Sequence, residues 1–110
     1  MDKNINQTKE LVFRDFEIDI DQAEMSEAEL LRILADHIAY MIEYRIDFLM
    51  SLMYRLDVLE KHINVALHPA SPDPANVALA KLVIARQKQR IQTKQQYQQP
   101  NLDDLEGMEF

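Results

Sequence analysis

The sequence predicts an all-α fold, a long helix with a second helix returning along it as an antiparallel helical hairpin, and three observations carry that prediction. Residues 26–67 hold the only sustained hydrophobic pattern in the chain, with apolar positions recurring at alternating steps of three and four. No Gly or Pro interrupts that stretch, whereas the following seven residues, HPASPDP, hold three of the four prolines. Beyond them, residues 75–99 form a second run without Gly or Pro, long enough to lie back along the first.

The first helix starts at Ser26. Its hydroxyl is placed to accept from the backbone N–H of Glu29 while the Glu29 carboxylate reaches back, the SxxE capping box. At 100° per residue, Leu31, Ala35, Ile38, Ile42, Leu49, Leu52, Leu56, Leu59 and Ile63 fall on one strip, widened by Leu34, Met41, Phe48 and Met53. Arg32, Asp36, Tyr40, Glu43, Asp47 and Lys61 occupy the opposite face. Arg45 interrupts the strip at its centre, so a buried strip requires its charge to be paired or to snorkel to the edge, and it is the candidate register residue of a subunit interface. Unbroken, this helix would be about 60 Å long at ~1.5 Å per residue. A break is therefore expected near Asp57, where DVLE repeats the capping-box spacing and can start a short extra helix.

His68 precedes Pro69, which turns the backbone out of helical geometry. Asp73-Pro74 then supplies an N-cap and a first-turn proline for a helix running to about Gln98. The first half of that helix, ANVALAKLVIA, has small apolar side chains suited to close packing; the second, RQKQRIQTKQQYQQ, is Lys, Arg and Gln apart from Ile91 and Tyr97. Residues 26–99 thus form the helical domain. Residues 1–25 are an acidic N-terminal arm, disordered over 1–9 and extended over 11–21, where Phe16, Ile18 and Ile20 alternate with acids; it either packs along the helices or pairs as a strand with a second copy. Residues 100–110 are an acidic C-terminal tail with Leu102, Leu105, Met108 and Phe110 spaced through it.

Charge is unevenly distributed along these segments. The net charge is −7, yet residues 68–99 hold five bases and one acid, and the last eleven residues hold four acids and no base. A basic element between acidic ones favours pairing within the chain or between subunits. With no Cys and a helical body of about 74 residues, stability has to come from packing. A homo-oligomer, most simply a dimeric bundle with a shared core, is the expected assembly. No segment reads as a membrane span or signal peptide, so a cytoplasmic location without membrane association is expected.

YRLDV at residues 54–58 and ARQKQRIQTKQQY at residues 85–97 resemble segments of a family of small, uncharacterised bacterial helical proteins, over roughly residues 27–97. The resemblance implies a helical body and a bacterial origin, and carries no activity. It departs at Leu59, where an acidic residue belongs, and this weakens the case for a helix restart after YRLDV.

The residues for catalysis are missing. A di-iron bundle needs ExxH motifs and inward carboxylates; there is no ExxH, and Asp36, Glu43 and Asp47 lie opposite the apolar strip. Arg55 and His62 share the RxxxxxxH spacing of the HEPN ribonucleases, but pairing of Arg55 with a neighbouring acid such as Asp57 is the preferred reading, and a break at Asp57 dissolves the alignment. Ser26, Ser51 and Ser71 lack a nucleophile's setting, and with Gly107 the only glycine no phosphate-cradling loop exists. No catalytic residue, cofactor or metal ligand is assigned. The expectation is a non-enzymatic interaction or assembly protein, with the acidic arm or tail open to a protein partner. The alternative is nucleic-acid binding by the basic helix, where Arg86, Arg90 and Lys94 share a side.

Overall fold

The computed structural model describes residues 3–18 and 25–97. They form five helices and, among the described residues, no strand: α1 (Lys3–Asp15), α2 (Glu27–Tyr44), α3 (Ile46–Arg55), α4 (Glu60–Leu67) and α5 (Ala75–Tyr97). The all-helical expectation holds, and among the described residues no helix is long and apolar enough to cross a membrane.

The Ser26 capping box forms as expected. The Glu29 N–H donates to Ser26 Oγ at 3.1 Å, and the Ser26 N–H donates to Glu29 Oε1 at 2.9 Å. Met25 before the cap and Leu30 at the fourth helical position are both buried, the placement of a hydrophobic staple. The buried stripe of α2 is Leu30, Leu34, Ala35, Ile38 and Met41, so the helix is rotated from the expected strip and leaves Leu31 and Ile42 only half-buried.

The long helix breaks twice. At Arg45 one residue leaves helical geometry (φ −142°, ψ 47°) although its N–H still donates to the Met41 carbonyl at 2.7 Å. This corrects the placement of Arg45 in the buried seam: Met41 and Leu49 on either side stay buried, while Arg45 is exposed with its guanidinium 4.2 Å from the centre of the Phe48 ring. The second break is at Asp57, where it was expected, but Asp57 acts as a stop and not as a cap for the next helix. It sits at φ 62°, and α4 restarts at Glu60 with Leu59 as its N-cap, without a side-chain capping hydrogen bond. Leu59, placed in the strip by its spacing, is 55% exposed because the break resets the helical phase.

Residues 3–15, expected to be disordered and then extended, form α1. Ile5, Thr8, Lys9, Val12 and Phe16 are its buried positions, at helical steps of three and four. The expected alternation over residues 11–21 is overridden as far as Ile18; residues 19–24, like the tail from 98 to 110, lie outside the described residues.

Helix α5 is the hub, packed against α2, α1 and α4. Near its start, Asn76 Nδ2 donates to the Ala35 carbonyl at 3.1 Å; twelve residues on, Lys88 Nζ binds Glu27 Oε1 at 2.9 Å at the start of α2. The contacts move down α2 as they move up α5, so the two helices run antiparallel. Leu79, Ala80, Val83 and Ile84 are buried and Val77, Ala78 and Leu82 half-buried, which is why α5 is apolar around much of its first half. The backbone turns at His68 (ψ 139°) before Pro69, and α5 begins at Ala75, with Asp73 bound by Lys81 Nζ at 2.9 Å.

Candidate functional site

Helices α1 and α3 end the same way, and both ends abut one turn of α5. In the frame Phe13–Ile18, the Ile18 N–H donates to the Phe13 carbonyl at 2.9 Å and the Glu17 N–H to the Arg14 carbonyl at 3.3 Å. In Met53–Val58, the Val58 N–H donates to the Met53 carbonyl at 3.1 Å and the Asp57 N–H to the Tyr54 carbonyl at 3.0 Å. Each is a Schellman motif with an acid, Glu17 (φ 58°) or Asp57 (φ 62°), in the left-handed position that glycine usually takes.

The C-terminal ends of helices carry partial negative charge, and Arg86 and Gln87 of α5 donate to this pair of ends. Arg86 Nε donates to the Leu56 carbonyl at 2.8 Å, and its Nη2 lies 3.7 Å from Asp57 Oδ2. Gln87 is fully buried; its Nε2 donates to Asp15 Oδ2 at 2.7 Å, and its Oε1 accepts from Arg90 Nη1 at 3.4 Å. Asp15 Oδ1 accepts in turn from Arg14 Nε at 3.2 Å and Nη2 at 3.1 Å. An acid in the last turn of α1 opposes the helix dipole, and these donors offset that cost.

Between these ends lies a cleft of about 330 Å³ lined by Arg14, Asp15, Glu17, Leu52, Arg55, Leu56 and Arg90. Leu52 and Leu56 belong to the buried core and close its base, and Arg14, Arg55 and Arg90 line it from three helices. Neither the repeated helix ends nor the cleft follows from periodicity: Gln87 is one of many glutamines in its helix, and nothing local distinguishes it.

The basic residues of α5 divide accordingly. Lys81 pairs with Asp73, Lys88 with Glu27 and Arg86 with Asp57, which leaves Arg90 and Lys94 as the exposed members of the expected trio. Arg55 ends α3 and the exposed His62 lies on α4, so the turn at Asp57 separates them and the RxxxxxxH alignment is not formed on one helix. Asp36, Glu43 and Asp47 are exposed, and among the described residues no three His or carboxylate side chains are grouped to hold a metal ion.

A second surface runs from the edge of the core out to solvent. On α2, Ile33, His37, Tyr40 and Tyr44 follow one another at steps of four, three and four; Tyr40 and Tyr44 are 53% and 70% exposed, with ring centroids 5.0 Å apart. Ile46 at the break is also exposed, as is Tyr54 on α3.

No family model, curated protein or solved structure matches the chain.

Proposed function

We propose that the protein is a non-enzymatic helical interaction protein that pairs with a second copy through the tyrosine-bearing stripe of α2. The observation that carries this reading is the exposure of Tyr40 and Tyr44, whose rings contact each other in a tilted arrangement on the surface of α2. Tyrosines of this kind supply contact area at low entropic cost and are enriched where proteins meet.

Charges on the solvent side of α2, next to the stripe, suit a second copy. Arg32 and Glu43 are eleven residues apart, three turns, and share the solvent side of α2. Two α2 helices crossing antiparallel about a two-fold axis near His37 set Arg32 of each copy beside Glu43 of the other, with Tyr40 between these pairs and Tyr44 just beyond Glu43. Such an interface is isologous and self-complementary. It differs from a shared-core dimer, because the strip that motivated that assembly is covered by α1 and α5 of the same chain.

Sedimentation equilibrium across micromolar concentrations tests the reading. The expected result is a reversible monomer–dimer equilibrium that the double variant Tyr40→Ser, Tyr44→Ser shifts to monomer while helical content is kept. A parent chain that stays monomeric at roughly 100 μM, where even a weak specific pair should form, would overturn it.

A further inference from the structure

The cleft between α1, α3 and α5 has a mainly polar lining that neither the core nor the tyrosine stripe uses. Its two leucines, Leu52 and Leu56, are 2% and 4% exposed, so little apolar surface is offered to an occupant; the other lining residues are all charged. Arg14 and Asp15 pair with each other, and Asp15 also accepts from Gln87. Glu17 and Arg55 are exposed, and neither side chain has a hydrogen bond or ion pair among the described residues. Arg90 is held by one contact of 3.4 Å to Gln87. An acid and two bases therefore line one cleft from three helix segments without pairing with one another.

Glu17 adds an independent observation. It holds the left-handed position that closes α1 (φ 58°), fixed by the hydrogen bonds from its own N–H to the Arg14 carbonyl and from the Ile18 N–H to the Phe13 carbonyl. Its counterpart Asp57, in the same strained conformation at the end of α3, lies 3.7 Å from Arg86, whereas the Glu17 side chain gains no such contact within the chain. A strained residue that lines a cleft and makes no side-chain contact in its own fold points to a contact with something outside it. We propose that the cleft binds a small zwitterion, a free α-amino acid, whose ammonium donates to the Glu17 carboxylate and whose carboxylate accepts from Arg55 and Arg90. The charges select this class of ligand. A simple anion such as phosphate meets Glu17 and Asp15, a simple cation meets three arginines, and an apolar molecule finds the leucines already covered. A ligand with both signs gives each free group a charged hydrogen bond. The cleft, about 330 Å³, lies at the small end of the range for ligand sites, roughly 300–1,000 Å³, as a molecule of this size requires. Its contacts are open to solvent, so a dissociation constant on the order of 1 mM is expected. The inference does not rest on the dimer, which uses a different helix.

Glycine and L-glutamine, each titrated into the full-length chain to roughly 20 mM at fixed pH and ionic strength, test the proposal through backbone amide spectra. The expected result with either is saturable displacement of signals from residues 14–18, 52–57 and 90, with residues 60–67 of α4 unmoved. N-acetylglycine, which lacks the ammonium, and glycinamide, which lacks the carboxylate, should each bind about tenfold more weakly. Glu17→Gln should weaken the binding of glycine by a similar factor, as should Arg55→Gln with Arg90→Gln. Glu17→Gly should do so while raising the unfolding midpoint, because glycine relieves the left-handed backbone; a residue that served only the fold would not part the two readouts in this way. The absence of saturable displacement with both amino acids would overturn the proposal. So would N-acetylglycine binding as tightly as glycine, which describes a site for anions, or an affinity for glycine that survives both Glu17 substitutions. A chain that stays monomeric in sedimentation leaves these readouts unchanged, so the two proposals fail separately.

Discussion

Glu17 and Asp57 hold backbone conformations that L-residues adopt at a cost of roughly 1–2 kcal/mol, and no glycine is present at either helix end. Glu17→Gly should therefore stabilise the fold by about 0.5–1 kcal/mol, since glycine removes the strain but loses more freedom on folding. Urea denaturation gives the difference directly. Asp57→Gly should gain less, because it also removes the contact with Arg86. At Leu59 the change runs the other way: a leucine occupies an N-cap with extended geometry (φ −65°, ψ 138°), and Leu59→Asp should add about 1 kcal/mol by accepting from the first-turn N–H groups of α4. A lower midpoint for Leu59→Asp would mean that the exposed leucine is in use. The Ser26 box was legible because both its halves are side-chain types with one favoured arrangement. The stop at Asp57 was legible in place but not in kind, since an aspartate serves equally at a helix start and in a left-handed turn. Arg45 was misplaced because a periodic strip assumes an unbroken helix, and one non-helical residue turned the charge out to solvent.

At the scale of elements, α1 is what the sequence hid. Its buried face includes Thr8 and Lys9 beside Ile5, Val12 and Phe16, so a search for apolar periodicity stops short of it, and the alternation that begins at Phe16 points to a strand. Contact with α5 decides in favour of the helix. Phe16 is 1% exposed at the end of that face, and Phe16→Ala should cost about 3–5 kcal/mol, comparable with a truncation deep in α2. If α1 were an accessory arm, the same substitution would leave the thermal midpoint almost unchanged, and calorimetry separates the two. Gln87 joins α1 to the hub by a polar contact, and Gln87→Ala leaves Asp15 without its 2.7 Å donor. A cost of about 1–3 kcal/mol is expected. Its role was illegible because hydrogen-bond pairing between residues 72 apart leaves no local pattern.

Over the whole molecule, the charge partition was legible and the closure of the core was not. The basic helix does sit among acids of the same chain, through Asp57, Asp73 and Glu27, although these pairs are partly exposed and each contributes little to stability. The apolar strip is too wide for a two-helix body; α1 adds Ile5, Val12 and Phe16 to the same cluster, and a single chain has a core of its own. This changes what self-association should do to stability. A shared-core dimer would unfold as it dissociates, so dilution would abolish folding. Pairing through Tyr40 and Tyr44 adds only the linkage term, about 2.7 kcal/mol when the protein is at 100 times its dissociation constant. The thermal midpoint should therefore rise with concentration from a finite lower plateau, with cooperative unfolding preserved at the lowest concentration measured. In the Tyr40→Ser, Tyr44→Ser variant the midpoint should lie on that plateau at every concentration. A parent midpoint that keeps falling on dilution, with loss of helical signal, would place the dimer interface back in the core. A midpoint independent of concentration in both chains would remove self-association from the account and leave the tyrosines for a different partner.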